Sequence, residues 1–326
     1  MTMILTLVEQ NGGELNSSAP EALTLARSLS QATGKPLAAV LLGASAAAAA
    51  PALAPYGVEK VYHVVHDGLD AYAPEAWARS VAQLMAQAQP EAVVAAGTDR
   101  GNELMAHVAA MTDLPFAANV TEVQPGSPYY LTRVRWGGSL LEEAELEGSP
   151  ALLSVAQHAL QPQEAASPGP ATVETFTPEL DERAFRVRAS EQVASHEAGI
   201  SLADAPVVVG GGRGVGSEAG FALLEELAAL LDGAVGGSRV VTNLGWRPHA
   251  DQIGQTGTRI APDLYIACGI SGAIQHMVGA RGSKRILAIN SDPEAPIMAK
   301  ADYAVVGDLH QVLPAVIAEI KKAKGL

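Results

Sequence analysis

Short apolar runs alternate along this chain with stretches whose apolar positions recur every three or four residues. Met3–Val8, Leu37–Leu42, Val61–Val65 and Ala92–Ala96 have the length and composition of buried strands. Between them, Pro20–Thr33, Glu75–Ala88 and Asn102–Met111 carry the helical period. Pro20 falls in a first helical turn, where the N–H it lacks would have no partner anyway. Such alternation predicts a parallel sheet with helices on both faces. Past Leu114 the helical spacers stop, and Asn119–Val123, Tyr129–Arg135 and Ser149–Val155 read as an antiparallel extension. Gln161–Pro170 is a loop by composition. The segment Phe185–Ser201 mixes charge with valine, and a boundary inside it gives two domains, residues 1–195 and 196–326.

The second domain opens on the apolar run Val207–Val209, which enters the glycine loop Gly210–Ser217. A helix is expected at Glu218–Leu231, with Phe221, Leu224, Leu227, Ala228 and Leu231 on one face. Leu264–Ala267, Arg285–Ile289 and Tyr303–Val306 are the later strands, each followed by a turn and helix formers. The fold class is therefore α/β: two domains, each a largely parallel sheet with flanking helices, the C-terminal one doubly wound and Rossmann-like.

Composition narrows the partners. With 48% hydrophobic residues but only 4% aromatics, the cores must be built mostly of Ala, Val and Leu. The net charge of −14 lies wholly in the first 204 residues, which hold 10 basic against 24 acidic side chains. An acidic surface speaks against nucleic acid or an anionic membrane as partner, and ordinary solubility explains it equally well. The balanced remainder can accept a phosphate-bearing ligand. One cysteine, Cys268, excludes an internal disulfide or a thiolate metal site and suits a reducing cytoplasm. Met3–Val8 is preceded by no basic segment, and the Ala-rich stretch Pro36–Ala54 is broken by Gly43 and prolines. A cytoplasmic protein with no direct membrane insertion and no metal is expected.

The candidate chemistry sits where strands run into helices. Gly212, Arg213 and Gly214 lie in the loop after Val209, where glycines let a backbone approach a phosphate and a helix start favours negative charge. The strict G-x-G-x-x-G register fails, because Val215 or Ser217 falls on the last position, and no G-K-[ST] ending follows. Arg213 offers a guanidinium suited to pyrophosphate. At the end of the second strand, Gly236-Gly237-Ser238-Arg239 puts a hydroxyl and a cation where NAD-binding sheets carry a ribose-holding carboxylate. Gln252-Ile253-Gly254-Gln255-Thr256-Gly257 is a polar loop that can donate and accept. Gly269-Ile270-Ser271-Gly272-Ala273-Ile274-Gln275-His276 leaves a strand and enters a helix, with Ser271 expected near the helix start as a cap or ligand contact. Asn290-Ser291-Asp292 and Gly307-Asp308-Leu309 follow the last two strands. Each loop alone is an ordinary turn, and a lone histidine such as His276 is more often structural than functional. Five polar loops at the carboxyl edge of one parallel sheet are where this architecture binds ligands. In the first domain, Gly97-Thr98-Asp99-Arg100-Gly101 occupies a comparable position but lacks a glycine cluster, which favours a structural turn.

These motifs, in this order, resemble one family. Gly-Gly-Arg-Gly, Ala-Val-Gly-x-Ser-Arg, Gly-Trp-x-Pro, Gln-Ile-Gly-Gln-Thr-Gly, Gly-Ile-Ser-Gly-Ala-Ile-Gln-His and Ala-Ile-Asn-x-Asp-Pro-Glu-Ala-Pro-Ile are similar to the α subunit of electron-transfer flavoprotein across Val207–Lys322. The first domain resembles it more loosely, through Leu7-Val8-Glu9, Gly12-Gly13-Glu14-Leu15 and Val120-Thr121-Glu122-Val123. The resemblance implies a heterodimeric electron carrier rather than a substrate-converting enzyme. Its C-terminal domain would bind FAD, and its N-terminal domain, with a nucleotide-hydrolase-like sheet, would contact a β subunit carrying AMP. Electrons would come from flavin-dependent dehydrogenases, including those of fatty acid β-oxidation, and leave one at a time to a quinone oxidoreductase or other acceptor.

Carried over by the resemblance, Gly212, Arg213 and Gly214 would lie by the pyrophosphate, and Ser271, Asn290 and Asp308 along the chain and adenosine end. Ser238, Arg239, Gln255, Thr256, Gln275 and His276 would surround the flavin ring and ribityl. Arg239, Thr256 and His276 would tune it, and Gln252, Gly257, Gly269, Gly272, Ala273, Asp292 and Leu309 complete the implied set. Asn243, Gln157 and the stretch Thr132–Ser139 depart from the family pattern, the last two in the domain expected to meet the β subunit. Two other readings stay open on residues alone: an NAD-dependent enzyme of a sirtuin-like or deoxyhypusine-synthase-like fold, and a nucleotide sensor built on the first domain.

Overall fold

The computed structural model describes residues 2–190 and 200–326, and the chain divides into two units, Met1–Gln192 and Val193–Leu326. The expected boundary after residue 195 lies outside the described residues.

In the first unit, strands β1 (Ile4–Leu7), β2 (Leu37–Leu42), β3 (Lys60–Val64) and β4 (Ala92–Ala96) alternate with α1 (Ala19–Thr33), α2 (Pro74–Ala88) and α3 (Asp99–Thr112). β5 (Phe116–Gln124), β6 (Tyr129–Arg135), β7 (Leu140–Leu146), β8 (Ala151–Val155) and β9 (Thr172–Phe176) complete a nine-stranded sheet of order β9-β3-β2-β1-β4-β8-β5-β6-β7. Every residue of β2 and β4 is buried, so these strands are continuous apolar runs, as a parallel sheet covered on both faces requires. One face packs on α1, through Ala22, Leu23, Ala26 and Leu29, and on the Ala-rich 3₁₀ segment Ala44–Tyr56. The other packs on α2 and α3 through Trp77, Val81, Leu84, Met105 and Val108.

The expected antiparallel extension is only partly present. β6 and β7 are antiparallel, but β8 returns to the middle of the sheet and pairs parallel with both β4 and β5. Ala151–Val155 is buried throughout, and a run without polar alternation belongs at the centre of a sheet. Strands β7 and β9 carry mostly exposed side chains, which leaves little periodic signal. Gln161–Pro170 is without regular structure, as its composition predicts.

The second unit is a five-stranded, wholly parallel sheet. β10 (Val207–Gly211), β11 (Ala234–Gly237), β12 (Leu264–Cys268), β13 (Ile286–Asn290) and β14 (Tyr303–Val306) lie in the order β11-β10-β12-β13-β14. Three helices join them, α4 (Phe221–Leu230), α5 (Arg239–Asn243) and α6 (Ile274–Ala280); a 3₁₀ turn at Met298–Lys300 links β13 to β14, and α7 (Leu309–Lys324) follows β14. From β10 the chain moves to one side of the sheet and from β12 to the other, which puts the topological switch point between these two strands. Helices α4 and α7 cover one face through Phe221, Leu224, Leu227, Leu313 and Ile317. Helix α4 starts three residues later than expected. Ser217–Gly220 form turns, with the Gly220 N–H donating to Ser217, so the glycine loop is longer than its sequence suggests.

Gly97 ties β4 to β8 in the first unit. Its N–H donates to the Val155 carbonyl at 2.7 Å, and a Cβ there would meet that oxygen at 2.4 Å. Gly97→Ala is expected to cost about 1–3 kcal/mol through this overlap, seen as a lowered thermal midpoint; an unchanged midpoint would contradict the packing.

Candidate functional site

The five loops that follow the strands of the second unit leave the carboxyl edge of its sheet. Gly212, Arg213 and Gly214 follow β10; Ser238, Arg239, Gln252, Gln255, Thr256 and Gly257 follow β11. Gly269, Ser271, Gly272, Ala273, Gln275 and His276 follow β12. Asn290 and Asp292 stand at and beyond the end of β13, and Asp308 and Leu309 follow β14. The predicted residues are thus brought to one edge.

The amides of the loop glycines are taken up in the loop's own hydrogen bonds. Gly212 N–H donates to the Cys268 carbonyl at 2.8 Å, Gly214 N–H to the Gly269 carbonyl at 3.1 Å, and Gly216 N–H to the Arg213 carbonyl at 3.1 Å. Two of these amides hold the loop against the exit of β12, and the third closes the turn Arg213–Gly216. A Cβ on Gly212 would lie 2.2 Å from the Gly269 oxygen, and one on Gly214 would lie 2.7 Å from the Gly269 Cα. Gly269 faces them at φ +62°, a region that L side chains rarely adopt. Three glycines thus let the two loops at the switch point touch backbone to backbone. Gly272, at φ +80°, packs in the same way on Ile297.

Helix starts supply what the glycine amides do not. Neither α5, preceded by Ser238, nor α6, preceded by Ala273, has a side-chain cap. First-turn N–H groups without a capping side chain are ready donors to an anion. Ser271 stands two residues ahead of the α6 cap position, so its expected capping role is not seen; its side chain is exposed and its carbonyl accepts from Ile297. Arg213, Arg239, Thr256, Gln275, Asp292 and Asp308 are exposed.

Other predicted residues hold loops. The Asn290 side chain donates to the Ile270 carbonyl at 2.9 Å and accepts from the Asp292 N–H at 3.0 Å. Asp292 accepts from the Glu294 N–H, and Asp308 caps α7 by accepting from the His310 N–H at 3.0 Å. Leu309 is buried against α4.

His276 is set back from the edge. It is 7% exposed, its Nε2 lies 2.7 Å from the Tyr265 hydroxyl, and its Nδ1 is buried without a hydrogen-bond partner. Burial pulls the imidazole pKa down to about 4, against a weaker pull from the Ile253 backbone, and holds the Tyr265 phenol well above its ordinary value. At neutral pH the ring is therefore uncharged, hydrogen-bonded through Nε2 to the Tyr265 hydroxyl. Sequence reasoning missed Tyr265, although an aromatic hydroxyl in an otherwise aliphatic strand is a signal that a buried polar partner lies nearby. It also missed the ion pairs from Arg247 to Asp251 at 2.7 Å and to Glu225 at 2.5 Å, which brace the loop before Gln252.

Comparison with known proteins decides the family. Residues 4–181 match the electron transfer flavoprotein domain, and residues 201–281 match the electron transfer flavoprotein FAD-binding domain. The chain belongs to the electron transfer flavoprotein α-subunit family. It is 38% identical over 328 residues to the electron transfer flavoprotein subunit alpha of Mycobacterium leprae, each chain being covered completely. Against the subunit of the same name from Thermoanaerobacterium thermosaccharolyticum it is 34% identical, with 98% of both chains covered. Protein FixB of Clostridium saccharobutylicum is 35% identical over 98% of this chain and 96% of its own. The family assigns FAD to this chain. The residues at the edge fit such a group: a glycine cradle with no room for a Cβ, helix starts without side-chain caps, exposed guanidiniums and an orphaned buried Nδ1. Among the described residues no helix is long and apolar enough to cross a membrane, and no three metal-ligating side chains cluster.

Two outcomes follow from this geometry. Gly212→Ala should cost the second unit about 1–3 kcal/mol and weaken FAD retention, because the added Cβ collides with backbone rather than with a yielding side chain; full retention with an unchanged melting curve would contradict the contact. The folded-state pKa of His276 lies below its unfolded value of about 6.5, so its contribution is present above that pH and is lost as pH falls toward about 4. Acid melting should show a loss of up to about 3 kcal/mol in this window, and His276→Gln should flatten it.

Proposed function

We propose that this chain is the FAD-holding half of a heterodimeric electron carrier. It would take electrons from flavin dehydrogenases, among them those of fatty acid β-oxidation, and deliver them one at a time to a quinone oxidoreductase or another acceptor. Its partner is a β subunit carrying AMP, and the pair works in the cytoplasm. The observation that carries this reading is the convergence of five polar loops on the carboxyl edge of the second sheet, with the glycine contact at the switch point between β10 and β12. Open α/β sheets bind dinucleotides at this place.

FAD, when bound, supplies the redox chemistry, and the protein supplies binding, orientation and electrostatics. Arg213 and the glycine turn would neutralise the pyrophosphate, with Ser271, Asn290 and Asp308 toward the adenosine end. Asn290 and Asp308 would act there by holding the loops they bridge and cap. Arg239 at the start of α5 places a cation where a ring that gains negative charge is stabilised. Thr256 offers a hydroxyl at the tip of its loop, while Ser238, Gln255 and Gln275 line the same side. His276 brings a neutral imidazole, held through Nε2 by the Tyr265 hydroxyl, whose charge does not change near neutral pH. Substrate conversion is not part of the role.

The direct test is co-purification with a β subunit. A visible flavin spectrum is expected, with one FAD held at this edge; a colourless complex would overturn the reading. Within that complex, Arg239→Ala should keep FAD and lower its first midpoint potential by on the order of 60 mV, a tenfold change in a one-electron equilibrium. An unchanged potential would remove Arg239 from the tuning set.

A further inference from the structure

Gln252 joins the two segments that carry Arg239 and Thr256. It is 1% exposed, so both ends of its amide need partners. Its Oε1 accepts from the Thr242 hydroxyl of α5 at 3.0 Å, and its Nε2 donates to Thr256 Oγ1 at 3.0 Å. The Thr242 hydroxyl is shared with the Arg239 carbonyl at 3.1 Å. The Gln252 backbone is equally fixed. Its carbonyl accepts from the Thr258 N–H at 2.7 Å, its own N–H donates to the His249 carbonyl at 3.0 Å, and it bridges Gly237 at the end of β11. At Gly257 the loop folds back so closely that a Cβ would stand 2.2 Å from the Gln252 oxygen. The donor amide and the Thr256 hydroxyl are therefore held by the scaffold.

A hydroxyl has one proton and two lone pairs. Here Nε2–H occupies one lone pair of Thr256 Oγ1, which turns the proton of Thr256 away from the amide. Thr256 is exposed at the carboxyl edge and donates to no group among the described residues. We propose that Gln252 is a positioning residue that fixes Thr256 as an outward hydrogen-bond donor to the flavin. The proposal rests on the placement of FAD at this edge given under the proposed function. A donor aimed at an acceptor atom of the ring stabilises added electron density, whereas a lone pair aimed there opposes it. Without Gln252 the hydroxyl rotor is free to turn its proton inward, and the contact loses its sign.

A double-mutant cycle on the complex with the β subunit separates this role from packing. The readouts are FAD content and the first midpoint potential. Gln252→Leu should keep FAD and lower the one-electron equilibrium about tenfold, or about 59 mV, and Thr256→Val should do the same. The double variant should fall no further than Thr256→Val alone. Gln252→Glu, which keeps the side-chain shape but accepts the Thr256 proton, should lower the potential more in the presence of Thr256 than in the Thr256→Val background. Additive losses, or an unchanged potential in Gln252→Leu with FAD in place, overturn the inference while leaving the FAD site standing. A wild-type complex without bound flavin overturns both.

Discussion

The second unit is organised around a contact between two turns. Gly212 and Gly214 after β10 press against Gly269 after β12, backbone on backbone, at the one place in the sheet where the chain changes direction. A Cβ at any of the three would meet backbone at under 3 Å, so the loops would have to move apart. That closeness fixes where β12 ends, and so where α6 begins, uncapped by any side chain, with His276 in its first turn. It also places Arg213, on the intervening turn, at the edge shared with Ser271 and Asp308. The glycines are needed for packing, and the ligand-facing geometry follows from it.

Much of the fold was legible in the sequence, because its signals are local. Leu37–Leu42 and Ala92–Ala96 were delimited by apolar length alone, and the α4 face by its period. β8 was misplaced because pairing is not local: Ala151–Val155 follows a hairpin in the chain yet inserts two strands back, and only its complete burial reveals this. The start of α4 was set too early because Ser217–Gly220 compete for backbone hydrogen bonds as turns. At the site, the loops and their shared edge could be read from glycines and polar clusters. What the side chains within them do could not. Hydrogen-bond direction depends on neighbours far apart in sequence, as with Tyr265 beneath His276 or Thr242 beside Gln252.

The site combines two kinds of residue. Exposed groups, such as Arg213, Arg239 and Thr256, stand at the edge where we propose that FAD binds, and buried ones hold the loops that carry them. Gln252 holds the Thr256 hydroxyl, and Tyr265 holds the His276 imidazole. Neither carries charge, so their influence acts through the direction of a proton. This economy suits a carrier: a shift of the flavin potential needs only small changes in free energy, and rigid neutral neighbours supply them without the desolvation that a buried ion would bring.

The central claim is that FAD occupies the carboxyl edge of the second sheet. Hydrogen exchange of the complex with and without FAD tests it most directly, since both units report at once. Protection gained on FAD binding should be confined to residues 212–216, 238–243, 252–257 and 269–276. Protection of Gly97–Gly101 in the first unit, with these four segments unchanged, would contradict the account.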